Sequence, residues 1–190
     1  MINLFAHTEQ FVIDSFTKAG KKASLLHLTR TVYWLKQLHP DADEYMQIAA
    51  LSHDIERAFQ DEKKMKKLRE KEGFKDPEFL RLHQERGAEI MEHFLREQGV
   101  DHKQIERVKR MIAHHEEGGN EEQNEIKDAD SVSFLENNVT HFIANEVPLY
   151  GKKHVKAKFD WMYNRISSVQ AKEIVEGWYQ DALLRLDISQ

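Results

Sequence analysis

Residues 49–57 read Ala49-Ala50-Leu51-Ser52-His53-Asp54-Ile55-Glu56-Arg57, so a run of small and apolar residues leads directly into an imidazole beside a carboxylate. Both side chains are metal ligands, and neither is usually buried unless it is paired. A single His-Asp pair also arises by chance in a chain with 11 His and 33 acidic residues. The interpretation therefore depends on where the other His and Asp residues lie.

The composition of the 190-residue chain favours one domain and narrows the range of functions. The absence of Cys excludes disulfides, thiol catalysis and Cys-ligated zinc. A net charge of -5, with both signs evenly mixed, gives no electrostatic evidence for binding to a nucleic-acid polymer. No apolar run approaches the roughly 20 residues that span a bilayer, and the first residues do not resemble a signal peptide. We expect a soluble cytoplasmic protein with no membrane partner.

Helical periodicity dominates the chain, because three Pro and eight Gly leave few breaks and no window alternates with period two. The pattern predicts an all-α bundle of about eight helices that encloses its metal site. The predicted helices cover residues 3–18, 23–38, 42–53, 77–97, 102–116, 123–144, 154–166 and 169–187. The charged run 61–72 is typical of a solvated helix or loop face. Pro148 and Gly151 predict a break.

Residues 1–190 are expected to form a single domain, with a motif-bearing core at about 23–136 and a helical C-terminal extension at about 153–188. Local capping signals support several helix starts. Asp41 or Asp43 can cap the third helix, Asp76 precedes a Pro at the first helical position, and Asp101 begins a possible capping box.

The remaining candidate ligands lie on different predicted helices, each within or beside an apolar stretch. The full set of candidates is His27, His53, Asp54, His83, His114, His115 and Asp130. A helical bundle can direct such residues toward a shared centre. Asp128 competes with Asp130 for the last position. Six other histidines fit no part of the pattern and are expected at the surface: His7, His39, His93, His102, His141 and His154.

This ordered pattern resembles the HD-domain superfamily of metal-dependent phosphohydrolases, over about residues 23–136. The resemblance rests on His27, the pair His53-Asp54 and Asp130, with the apolar surroundings of residues 26–32 and 48–55. It implies that His27, His53, Asp54 and Asp130 bind one metal ion. The expected cofactor is one or two divalent ions, with Mn, Fe, Ni, Co, Zn or Mg as candidates.

A second ion is implied by the similarity of His83 and of His114-His115 to a subgroup in which Asp54 would bridge two metals. Adjacent helical residues diverge by about 100 degrees, so normally only one of His114 and His115 faces inward. Residues 108–116 look like the matching helix of cyclic-dinucleotide phosphodiesterases. Those enzymes continue into Gly-Tyr-Pro, whereas this chain continues Glu117-Gly118-Gly119. Cleavage of cyclic dinucleotides is therefore not inferred.

The resemblance implies hydrolysis of a phosphoester of a small metabolite, with a nucleotide as the leading candidate. A divalent ion lowers the pKa of bound water from about 15.7 toward 7, which generates hydroxide for the attack. Glu56 is a candidate general base or a partner for a ligating His. Arg57 and Arg30 are candidates to bind the substrate phosphate. Lys152, Lys153 and Lys156 could also reach it, although a solvated basic face is the preferred reading.

Two other functions stay open. A branch of the same superfamily uses a similar ligand set in a mixed-valent diiron oxygenase, and a non-catalytic signalling module could keep a vestigial site. Several aromatic residues could select a substrate, although core packing is their expected role: Tyr33, Trp34, Phe59, Phe134 and Tyr150. The oligomeric state is left open.

Overall fold

The regular structure of this protein is helical. A computed structural model describes residues 3–60 and 76–189. No strand occurs in those two ranges. The helices are α1 (Leu4–Lys18), α2 (Ser24–Leu38), α3 (Glu44–Ser52), a short 3₁₀ helix (Ile55–Ala58), α4 (Pro77–Glu97), α5 (His102–Ile112), α6 (Glu121–Asn137), α7 (Val139–Tyr150), α8 (Lys152–Asn164) and α9 (Val169–Ile188). The all-α fold class is confirmed. The charged run 61–72 lies outside the described residues.

Side-chain caps define most helix starts, because the first N–H groups of a helix have no partner within it. Asp43, rather than Asp41, caps α3, and Asp76 caps α4 ahead of Pro77. Asp101 accepts from two backbone N–H groups at the start of α5. A reciprocal capping box starts α6, where Asn120 and Gln123 each bond the other's backbone.

One predicted helix is divided in the structure, and one predicted break has a different position. The segment predicted as one helix over 123–144 forms two, which meet at Asn138. Pro148 lies inside α7, and the break falls at Gly151, whose φ of 81° suits glycine.

The predicted helix 102–116 stops at Ile112, because the groups needed for its next hydrogen bond are used elsewhere. The next helical bond would join the His114 N–H to the Arg110 carbonyl. Instead, the His114 N–H donates to the Met111 carbonyl at 3.3 Å, and the Arg110 carbonyl accepts from Gln123 Nε2 at 3.2 Å. The Ile112 carbonyl accepts from the ring of His115, at 2.7 Å. Residues 113–117 consequently form turns. The direction of the His115 side chain is therefore set by these turns and not by helical geometry.

The helices pack around two apolar cores that share α6. Ile126 and Ala129 belong to a core built with α1 to α5. Val132, Phe134 and Leu135 belong to a core built with α7, α8 and α9. The region predicted as a C-terminal extension therefore packs directly on the helix that carries Asp130.

The five aromatic residues expected in the core divide into two groups. Phe134 is buried and Trp34 packs against the second core. Tyr33, Phe59 and Tyr150 are instead exposed, so core packing was the wrong reading for them. No helix within the described ranges is both long and apolar enough for a bilayer crossing.

Candidate metal centre

The candidate ligands predicted on separate helices converge in the interior as two adjoining groups. One group contains His27 from α2, His53 from the end of α3 and Asp130 from α6. The other contains Asp54, His83 from α4 and His115 from the turn after α5. All six are buried, and the ligand atoms within each group lie within 4.8 Å of one another. Each group consists of two imidazoles and one carboxylate.

The carboxylates lie between the imidazoles. Asp130 Oδ1 is 3.0 Å from His27 Nε2 and 3.5 Å from His53 Nε2. Asp54 Oδ1 is 2.8 Å from His83 Nε2 and 3.9 Å from His115 Nε2. The other oxygen of Asp54 lies 3.9 Å from His53 Nε2, so this carboxylate contacts both groups.

All four imidazoles use Nδ1 for a hydrogen bond to a neighbouring oxygen, which directs Nε2 toward the carboxylates. The acceptors are Ser133 Oγ for His27, the Ala50 carbonyl for His53, Glu56 Oε2 for His83 and the Ile112 carbonyl for His115. A carbonyl or an ionised carboxylate can only accept, so the proton of the ring lies on Nδ1. When Nδ1 carries the only proton of the ring, Nε2 keeps a lone pair, which is the form of imidazole that binds metals.

Ser133 leads to the same assignment for His27. Its hydroxyl donates to the backbone carbonyl of His27 at 2.8 Å. Because a hydroxyl has one proton to donate, Ser133 Oγ must accept from His27 Nδ1, which is 2.9 Å away. Ser133 was not predicted, although its position three residues after Asp130 places both on one face of α6.

The donor set fits a metal cation. A neutral imidazole with its proton on Nδ1 presents a lone pair to the carboxylate, and two electron-pair donors 2.8–3.0 Å apart repel unless a proton or a metal cation lies between them. Within the described part of the chain, the buried Nε2 atoms of His53 and His115 also lack a hydrogen-bond partner of good geometry. Nitrogen and oxygen donors without thiols suit a divalent ion of borderline or hard character.

The electrostatics of the two groups favour positive charge between the carboxylates. Although burial opposes ionisation, Arg165 and His53 hold the pKa of Asp130 well below its usual value. Burial likewise opposes ionisation of Asp54, yet Arg57 and His83 hold its pKa well below the usual value. Burial lowers the pKa of His53, but Asp130 outweighs it and raises that pKa to about 9. Burial dominates at His115 and lowers its pKa to about 4, which keeps the ring neutral.

Arg165, which the sequence analysis missed, binds the oxygen of Asp130 that does not contact the imidazoles. Its side chain is 6% exposed and donates to Asp130 Oδ2 and to Glu116 Oε2. Its Nε donates to Ser131 Oγ at 2.8 Å. Despite burial, Arg165 and Lys158 lower the pKa of Glu116 to about 2. Arg165 follows α8 and belongs to no recognisable motif, so only the tertiary contact identifies it.

His114 and Asp128 lie away from the two groups. His114 is exposed in the turn that directs its neighbour His115 inward, so this candidate ligand does not reach the centre. Asp128 accepts from the backbone N–H groups of Ser167 and Ser168, which ties α6 to the start of α9. The structure thus selects His115 and Asp130 from the two pairs that the sequence left open.

The three charged residues that were candidates for catalysis or phosphate binding have different partners in the structure. Glu56 is fully buried behind His83, whose ring separates it from Asp54. Arg57 donates through Nε to Asp54 Oδ2 at 2.5 Å. Arg30 forms a two-pronged ion pair with Glu136, at 2.8 and 2.7 Å, and covers the ring of Tyr33. The structure therefore gives Arg30 a structural partner.

The three lysines near Gly151 lie at the surface. Lys152 bonds the Asp187 carbonyl, Lys156 pairs with Asp160, and Lys153 is exposed. Two of the histidines assigned to the surface, His141 and His154, line the cavity described next.

A cavity of about 280 Å³ adjoins both groups. His27, Asp54 and Asp130 line it from one side, together with Arg57 and Glu116. Residues of α7 and α8 line the other side. His27 and the two carboxylates are therefore accessible to a small molecule in the cavity.

The fold and the site together define an all-α protein with a buried His-carboxylate centre that can hold a metal ion. Residues 6–184 match the family described as "Domain of unknown function (DUF4202)", and the chain belongs to that family. Neither the comparison with curated proteins nor the comparison with solved structures gives a match.

Proposed function

We propose that this protein is a metal-dependent phosphohydrolase of the HD type, which hydrolyses a phosphoester of a small metabolite. The observation that carries the proposal is the shared cavity. His27, Asp54 and Asp130 line it beside the guanidinium of Arg57. A phosphoryl group is attracted both by divalent ions and by guanidinium, whose planar fork matches two phosphate oxygens. The order of His27, His53-Asp54 and Asp130 along the chain, from which the resemblance was inferred, supports the same proposal.

Each of the two groups of ligands would hold one ion. The first group is His27, His53 and Asp130, and the second is Asp54, His83 and His115. A bound divalent ion would supply Lewis acidity and a lowered pKa for water at the cavity. The residues of the chain prepare the site for this role. The four Nδ1 hydrogen bonds orient the imidazoles so that each can present Nε2 to an ion.

Arg57 and Glu56 receive separate roles in this proposal. Arg57 is anchored to Asp54 through Nε, and its terminal N–H groups would bind phosphate oxygens. Glu56 accepts from His83 Nδ1, so it orients a ligand, which favours the partner role over that of general base.

An iron-dependent oxygenase is the second candidate, because each group contains two histidines and one carboxylate. That combination with open positions is typical of non-haem iron sites that activate dioxygen. Two irons per chain with dioxygen consumption would favour this candidate over the hydrolase.

The experiment measures metal content by elemental analysis of protein purified without added metal or chelator. Phosphate release from mononucleotides and sugar phosphates is then assayed with Mn, Co, Ni, Zn and Mg. Asp54→Ala is expected to lose metal and activity together, whereas Asp41→Ala, which removes an exposed carboxylate, keeps both. Full activity in Asp54→Ala, or no phosphate release with any metal, would overturn the proposal.

A further inference from the structure

The two groups of candidate ligands differ in how much of each lines the cavity. We call the first group the cavity group and the second the deep group: His27, His53 and Asp130, and then Asp54, His83 and His115. His27 and Asp130 of the cavity group line the cavity, whereas among the described residues the deep group contributes only Asp54 to its lining. His83 and His115 are no more than 1% exposed. An ion in the deep group would therefore be more shielded from water than an ion in the cavity group.

The carboxylates of the two groups are held in the same way. Arg57 donates to Asp54 Oδ2, and Arg165 donates to Asp130 Oδ2. Each carboxylate keeps Oδ1 toward an imidazole Nε2, at 2.8 Å in the deep group and at 3.0 Å in the cavity group. These contacts are matched, so they do not distinguish the affinities of the two groups for a cation.

The hydrogen-bond partners of the four Nδ1 atoms do distinguish the groups. In the cavity group both partners are neutral, a serine hydroxyl and a backbone carbonyl. In the deep group, His115 also uses a backbone carbonyl, but His83 donates to the carboxylate of Glu56 at 3.0 Å. An anionic partner makes a ligating imidazole a stronger donor, because it stabilises positive charge on the ring. The deep group therefore contains one strengthened ligand that the cavity group lacks.

The surroundings of Glu56 keep it in place as an anion. The residue is fully buried, and its Oε2 also accepts from Gln60 Nε2 at 2.6 Å. Arg86 lies 3.6 Å from the other oxygen, and the Arg86 side chain is 40% exposed. A partly solvated cation at this distance favours the ionised carboxylate without closely neutralising it. Glu56 thus acts on His83 as a fixed negative charge.

The buried ion pair of Glu116 and Arg165 contacts both groups, with its negative end toward the deep group. Glu116 Oε1 lies 3.9 Å from His115 Nε2, while Glu116 Oε2 accepts from Arg165. The guanidinium of Arg165 contacts Asp130 of the cavity group. This orientation also favours a cation in the deep group over one in the cavity group.

We infer that the two groups hold their ions unequally: the deep group, with Glu56 as the positioning residue of His83, retains its ion, and the cavity group exchanges its ion through the cavity. The inference rests on the proposed function for its consequence. Phosphate release would depend on the free concentration of the exchanging ion, so the supply of that ion would regulate the enzyme. The inequality itself is measurable without turnover.

The first test follows the release of Zn²⁺ from the loaded protein to a chromophoric chelator, after excess metal has been removed by gel filtration. We expect two phases of about one ion per chain each, with the second at least about tenfold slower, in line with the usual effect of an outer partner on metal affinity. Release of both ions in a single phase would overturn the inference.

Variants of single ligands assign the two phases. His27→Ala is expected to lose the fast phase and keep the slow one, whereas His83→Ala is expected to lose the slow phase. Circular dichroism checks that each variant is folded. The opposite assignment would overturn the inference, and the variants of the next test, which remove no ligand, decide the assignment if a ligand variant does not fold.

The second test removes the charge of Glu56. Glu56→Gln is expected to weaken binding of the slow ion by about 10–100-fold and to leave the fast ion unchanged, whereas Ser133→Ala affects the fast ion. Glu85→Gln is the control, because Glu85 lies on the same helix as His83 but is exposed and pairs with Arg81. A merely structural role for Glu56 would change both ions alike, and that result would overturn the inference.

The two proposals fail in different ways. Two separate release phases without phosphate release from any ester would support the unequal sites and overturn the hydrolase. Phosphate release by a protein whose two ions leave in a single phase would support the hydrolase and overturn the unequal sites.

Discussion

Ser133 binds both the backbone and the ring of His27: its hydroxyl donates to the His27 carbonyl and accepts from Nδ1. The serine on α6 thereby fixes the orientation of an imidazole on α2. Because Asp130 lies on the same face of α6, one helix supplies both a carboxylate and the group that aims a histidine toward it. The same pairing also links α2 to α6.

Replacing Ser133 by Ala is expected to weaken metal binding by about 10–100-fold, as is usual when an outer partner of a ligating histidine is removed. The His27 ring loses the acceptor that holds its proton on Nδ1. Competition with a chromophoric chelator measures the affinity. Ser52→Ala is the control, because that buried serine bonds the Ile48 carbonyl of its own helix. Equal affinity in the two variants would show that Ser133 does not orient His27.

His115→Ala and His114→Ala form a second matched pair of variants. His115 is 1% exposed and belongs to the group with Asp54 and His83, whereas His114 is exposed. We expect His115→Ala to lose about one metal ion per chain and His114→Ala to retain the full content. Elemental analysis after dialysis decides the matter, and loss of metal from His114→Ala would contradict the position assigned to the two rings.

Removal of the Arg165 charge is expected to destabilise the metal-free protein by about 3–5 kcal/mol, because Asp130 and Glu116 would both lose their buried partner. Arg165→Met retains much of the volume without the charge. Arg185→Met is the control, since Arg185 is 41% exposed and pairs with Asp181 at 3.6 Å. That variant is expected to change the free energy of unfolding by less than about 1 kcal/mol. Urea unfolding measures both, and similar losses would mean that Arg165 is not an essential buried partner.

Acidification is expected to destabilise the metal-free protein through Glu116, whose pKa falls from 4.5 to about 2 on folding. A carboxyl group with a lowered pKa binds fewer protons in the folded state, so its contribution is present above pH 4.5 and is lost as the pH falls toward 2. Urea unfolding across this range is expected to show a smaller loss for Glu116→Gln than for the unaltered protein. Glu97→Gln, which changes an exposed carboxylate, is the control. An identical slope in Glu116→Gln would contradict the prediction.

Local spacing was enough to predict the class of fold and the positions that meet at the centre. The signals that predict the helices act over one or two turns, so they can be recognised in the sequence. They are the scarcity of Gly and Pro, helical periodicity, and capping residues such as Asp43 and Asp76. The apolar stretch that ends in His53-Asp54 likewise indicates that this pair is buried, and this inference needs no knowledge of long-range contacts. His27 and Asp130 could be added because each lies within an apolar helical segment.

Only the tertiary structure decided the contacts between distant segments. Arg165 reaches Asp130 and Glu116 from the end of α8, and nothing in its neighbourhood along the chain predicts that contact. The choice of His115 over His114 follows from the early end of α5, where Gln123 on α6 donates to the Arg110 carbonyl that the next helical bond would have used. Such choices depend on which side chains two packed helices bring together. Periodicity determines the face that a residue occupies, whereas the partner on that face is set by the packing of the whole chain.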